Sequence, residues 1–155
     1  MESPKITLTN NQGISLELWI AGYQFPEITD DWDANWLMVA GEVRHPRGAW
    51  SFIDPCLTTT ELGSLVAWLE LVVRGESAQS PLHPMEQCLQ FHHVLGPDPD
   101  IEVRLAHGCA PPWSKTEGSD EDVALRFPLT ASNAEEWIQA GRELQRQFPE
   151  RESAE

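Results

Sequence analysis

Three aspartates, Asp30, Asp31 and Asp33, stand directly ahead of the apolar run that begins at Trp36. Closely spaced carboxylates in a loop can hold a divalent cation, because hard cations take several oxygen ligands. A calcium loop, however, follows its alternating acids with a glycine and a distant bidentate glutamate. Asp31 and Asp33 do alternate, but Asn35 is followed at once by Trp36, and the next glycine is Gly41. The pattern argues against a metal and for an acidic loop at the entrance to a strand. Within it, Asp33 is expected to hydrogen-bond nearby backbone donors, as aspartates in turns do.

Cys88, His92 and His93 form the other constellation with ligand chemistry. On a strand Cys88 and His92 share a face but lie two pleats apart, about 13 Å at the usual rise. Zinc needs its ligand atoms at roughly 2 Å, so this pair cannot share an ion without a bulge. The three cysteines, Cys56, Cys88 and Cys109, are odd in number, widely spaced and without a CxxC pair, and they require no disulfide framework. Cys56 or Cys109 with His107 would make a nucleophile and base only if the fold brought them together. Asp120, Glu121 and Asp122 are an acidic run ahead of a strand, most simply a solvated loop. The chain has no G-x-S-x-G elbow, phosphate-binding glycine loop or H-E-x-x-H helix. No catalytic residue, cofactor or metal ligand is expected.

Composition narrows the partners. The 155 residues suit one domain with a single core, and 41% hydrophobic with 23% charged residues is globular rather than disordered. With 25 acidic and 10 basic side chains the net charge is −15. Nucleic acid is disfavoured, since its binding rests on Lys and Arg displacing counterions. A basic protein partner would be steered toward such a surface. The N-terminus lacks the basic and apolar regions of a signal peptide, and no apolar run approaches the ~18 residues of a membrane span. No membrane partner and a cytoplasmic location are expected; the oligomeric state stays open.

Periodicity supplies the elements that must position these residues. "KITLTNNQGISLELWIAG" reads as two strands around a turn with Asn10, Asn11 and Gly13, and Ile14, Leu16, Leu18 and Ile20 share one face. "NWLMVAGEVRH" and "GAWSFID" follow as strands. The first is apolar on both faces and is expected to be central, with Trp36 or Leu37 buried, and both in the fuller expectation. A helical stripe then runs through Leu62, Leu65, Val66, Leu69, Val72 and Val73, with a capping box at Thr58 and Glu61 and a stop at Gly75. "QCLQFHHVL", "DIEVRLAHG" and "DVALRFPLT" are three more strands. Their inward positions include Phe91, His93, Leu95, Val103 and Leu125. A closing helix has the capping-box spacing at Ser132 and Glu135 and an inward stripe from Trp137 to Phe148. From about residue 150 the tail is expected to fray. The order ββββαβββα defines an α+β domain: a mainly antiparallel sheet of about seven strands with two helices on one face. The polar face would carry Glu17, Trp19, His92, Glu102, Arg104 and Arg126, either as a binding surface or as ordinary cross-strand pairs.

"GYQFP" at 22–26, "DANWLMV" at 33–39 and "DPCLTTTELGSLVAWL" at 54–69 together resemble the WapI-type immunity protein family, small bacterial proteins encoded beside polymorphic contact-dependent toxins. The resemblance covers the N-terminal half and implies a cytoplasmic, non-enzymatic protein that neutralises a toxin domain, such as a nuclease, by binding it. No catalytic residues carry over. The other reading is a generic module that binds a protein or small ligand through the sheet face or loop clefts. For a toxin partner, the candidate contacts are Asp30, Asp31 and Asp33, the run Asp120, Glu121 and Asp122, and Trp113. Trp113 lies outside every expected strand and helix, and would act either as an aromatic anchor or as a plug at one end of the sheet.

Overall fold

The computed structural model describes residues 4–27, 32–76, 88–113 and 123–151. Four strands come first: β1 (Ile6–Thr9), β2 (Ser15–Tyr23), β3 (Trp36–His45) and β4 (Gly48–Thr58). Helix α1 (Thr59–Val73) follows, then β5 (Leu89–Val94), β6 (Asp100–Leu105), β7 (Val123–Pro128) and the closing helix α2 (Ala131–Gln147). The α+β class and the order ββββαβββα are as the periodicity indicates.

The strands form two antiparallel sheets, β1-β2-β3-β4 and β5-β6-β7, instead of a single sheet of seven. Alternation along a strand reports which face is buried, but not which strand lies alongside. β4 is an edge strand that carries Pro55, which has no N–H to donate to a further ladder. It also bulges: Leu37 pairs with Leu57 while Val39 pairs with Asp54, so β4 holds one extra residue between those pairs.

Register places the apolar side chains in rows. Leu18, Gly41 and Phe52 are aligned across β2, β3 and β4. A Cβ on Gly41 would come within 2.2 Å of the Phe52 ring, so the glycine is what allows the ring to lie across β3. In the second sheet Phe91, Val103 and Leu125 form one row, and His93, Ile101 and Phe127 another. Both sheets and both helices feed one core cluster. Trp68 of α1 tilts against Phe91 at 6.4 Å between ring centroids. Trp137 of α2 donates its indole N–H to the Thr7 carbonyl of β1 at 2.9 Å. The helices touch where Gly141 meets Val66.

Local signals explain most boundaries. Asn10 accepts from the backbone of Gln12 and Ile14, closing the first hairpin ahead of Gly13 at φ 79°. The Thr58–Glu61 capping box is formed in both directions. At the far end of α1 Gly75, at φ 75°, donates to Val72 and Glu76 donates to Leu71, a Schellman stop. The closing helix differs from expectation. Its N-cap is Thr130, which accepts from Asn133, because the helix starts at Ala131 and Ser132 lies inside the first turn.

Two burial expectations change. Leu37 is fully buried, but Trp36 on the opposite face of β3 is only half-buried. Leu95 falls beyond the end of β5 and is exposed. Leu37→Ala should therefore lower stability by about 2–5 kcal/mol, the range for emptying a core leucine site. Trp36→Ala should cost clearly less. Denaturant titration of the two variants measures both, and the reverse ranking would contradict this placement of β3.

Candidate interaction surface

Of the acidic residues singled out above, Asp30, Asp31, Asp120, Glu121 and Asp122 lie outside the described residues. Asp33 belongs to a 3-10 turn, Trp32–Asn35, that leads straight into β3. Arg151, far along the chain, holds this turn. Its guanidinium donates to the carbonyls of Ala34, Pro26 and Phe25 and stacks over the Tyr23 ring at 3.8 Å. Asn35 pairs with the Arg151 backbone in both directions, at 2.7 and 3.0 Å. Tyr23 adds a bond from its hydroxyl to the Pro149 carbonyl. The sequence pattern holds no sign of this arrangement, because an arginine in a charged tail looks like a solvated one.

Trp113 is half-buried and packs on Trp50 with ring centroids 5.1 Å apart, edge to face. His45 flanks it at 6.0 Å, and the Arg47 guanidinium lies over its ring at 4.9 Å. The tryptophan covers the β3–β4 hairpin end while leaving part of its surface to solvent. Packing at the end of the sheet thus accounts for much of its position.

On the second sheet His92, Glu102 and Arg126 are aligned across the outward face. Glu102 is buried and receives Arg104 at 2.7 Å and Arg126 at 3.3 Å. Burial acts to raise its carboxyl pKa, but the hydrogen bonds and charges of the two arginines outweigh burial and hold it below the ordinary value. Cross-strand pairing explains this part of the polar face.

A third arrangement is internal. Cys56 of β4, Cys88 just before β5, and Cys109 after β6 are all free and buried, and they converge with Asp54. Cys56 Sγ lies 2.9 Å from Cys88 Sγ and 3.3 Å from Cys109 Sγ. The extra residue in β4 sits between Asp54 and Leu57, where Cys56 is. His107 adopts φ 50° to start the 3-10 turn His107–Cys109, a conformation that costs a non-glycine residue about 1–2 kcal/mol. A Cβ on Gly108 would fall 2.8 Å from the Asp54 carboxylate, so glycine is what lets that carboxylate approach. The indole of Trp50 donates to the Cys109 carbonyl, and Ala106 donates to that of Cys88. Contacts with Cys109 and Cys56 draw the Cys88 thiol down, and contacts with Cys109 and Cys88 push that of Cys56 up. His92 is no part of this cluster; its Nε2 faces Gln90. Spacing could not reveal the convergence, since the three cysteines come from three different elements.

A hairpin-connected sheet, a capped helix, a second sheet and a closing helix make up an α+β domain from Ile6 to Gln147. The model of the family described as "Immunity protein WapI-like family" matches residues 7–149, nearly the whole of that span. The chain belongs to this family of immunity proteins. No curated protein and no solved structure matches it.

Arg151→Ala removes the donor from three carbonyls of the 25–34 segment. Amide hydrogen exchange should then speed up at residues 34–36, with the second sheet unchanged. Equal protection in both proteins would show that the arginine does not hold the turn. For Glu102, the depressed folded pKa implies stabilisation that is present above the unfolded value of about 4.3 and lost as pH falls through the folded value. Glu102→Gln should thus cost on the order of 1 kcal/mol at pH 7, since both arginines are partly exposed. The gap to wild type should narrow as pH falls below the unfolded value and close once the folded carboxyl is protonated, which melts across a pH series would show.

Proposed function

We propose that this protein is a stoichiometric inhibitor that binds and neutralises a cognate toxin domain in the cytoplasm, with no catalytic activity of its own. The observation that carries the reading is membership of the WapI-like immunity protein family over residues 7–149. The net charge of −15 supports a basic partner surface, and a nuclease toxin has one, because its own substrate is a polyanion. In this proposal the contacts are the acidic segments at Asp30, Asp31 and Asp33 and at Asp120, Glu121 and Asp122. The exposed part of Trp113 adds an aromatic contact. Tryptophan suits such a position because it brings a large contact area together with a directed N–H.

The expected mechanism is occlusion steered by charge. Acidic groups at the rim mainly set how often encounters succeed, so raising salt from low to physiological strength should slow association more than it speeds dissociation. Cells expressing this chain should survive co-expression of the toxin domain encoded beside it. A variant with both acidic segments reversed to lysine, and an unchanged melting temperature, should not protect. Protection by that variant would remove the interface assignment. Death of cells carrying the wild-type chain would remove the inhibitor reading itself.

A further inference from the structure

We propose that Asp54, Cys56, Cys88 and Cys109 form a closed, four-ligand site for a thiophilic divalent cation, zinc, which pins the two sheets together at one edge. This inference is independent of the inhibitor reading. One ligand atom from each of the four residues lies within 4.8 Å of every other. A tetrahedral zinc ion with Zn–S bonds of about 2.3 Å sets its sulfurs about 3.8 Å apart. Two edges of the cluster fall just short of that spacing, with Cys56 Sγ at 2.9 Å from Cys88 and 3.3 Å from Cys109. Opening these edges by less than ~1 Å would admit the ion. No disulfide explains the convergence, since a bonded pair sits at about 2.05 Å and a third cysteine would be left over.

The donor set selects the metal class. Three sulfurs favour a soft or borderline cation over calcium or magnesium, which take oxygen ligands. With its cysteines as thiolates and Asp54 ionised, the site would have the formal charge of a four-cysteine zinc site. Each thiol that binds gives up its proton, so loading releases protons to solvent. All four ligands come from the protein and the three cysteines are buried, which leaves no open position for a reactive water. The role is therefore structural. The backbone is arranged to suit: a bulge at Cys56, the left-handed His107 and the glycine at 108 bring the ligands together. The Trp50 indole and the Ala106 amide hold the carbonyls of Cys109 and Cys88. The ion would tie β4 of the first sheet to the start of β5 and the end of β6, where no strand ladder joins the sheets among the described residues.

The test uses untagged full-length protein purified from zinc-supplemented medium. Elemental analysis should find about one zinc per chain, and a strong chelator should lower the melting temperature by several degrees. Replacement by cobalt should give the intense visible bands of tetrahedral coordination, with sulfur-to-metal charge transfer in the near ultraviolet. Cys88→Ser should weaken cobalt binding by at least about a hundredfold, since even outer-shell changes cost tenfold to a hundredfold. If that variant does not fold, Asp54→Asn, which keeps the shape of the side chain, should still shift the cobalt spectrum. His92→Ala should leave it unchanged. Zinc-free protein with three titratable thiols, a mass two hydrogens lighter from a disulfide, or a cobalt spectrum indifferent to both ligand variants would each overturn the proposal.

Discussion

Among the described residues the two sheets share no hydrogen-bonded ladder and are joined by their side chains, and this constraint organises the molecule. Within each sheet the backbone supplies cohesion, strand by strand. Between them the described residues supply core packing and directed side-chain contacts. The core cluster draws on every strand and both helices, with Trp68 reaching Phe91 and Trp137 reaching the backbone of β1. At one edge the Asn10 amide donates to the Arg126 carbonyl of β7, beside an open groove lined by Asp100 and Asn133. At the opposite edge β4 meets the segments flanking β5 and β6 through the three cysteines and Asp54. The helices close the arrangement by packing on each other, and Gly141 permits their close approach.

How much of this was legible follows from what a linear pattern can encode. Period-two alternation marked the buried rows Leu16–Leu18–Ile20 and Ile101–Val103–Leu105, because a strand face is a local property. The ends of α1 were legible for the same reason: a capping box and a glycine stop span only a few residues. The division into two sheets was not, since neighbour choice depends on surfaces that are distant in sequence. The N-cap at Thr130 was obscured by a second hydroxyl two positions later with the same spacing to an acid. Trp36 misled because an apolar side chain on a central strand can still face partly outward when the sheet is covered on one side only.

The contrast is sharper for the sites. The acidic segments were conspicuous in the sequence by composition, while the sulfur cluster was hidden by it. Cys56, Cys88 and Cys109 are dispersed and individually ordinary, and only the bulge in β4 and the turn at His107 bring them into contact. Local rules find charge runs readily and miss convergent sites, because convergence is a product of topology. A binding function of the kind proposed for this chain would likewise spread over surface residues that no short pattern marks.

The Arg151 clamp makes the geometry of the turn Trp32–Asn35 depend on a residue that is synthesised much later. Arg151 and Ala34 are 117 positions apart, so at ribosomal speeds of roughly 5–20 residues per second the loop exists for on the order of ten seconds before its partner is made. A chain interrupted before Arg151 could still build all seven strands, yet would lack the donors that arrange the turn leading into β3. The turn therefore settles late, only after residues from every strand have been made, and its geometry reports that the segment after α2 has docked.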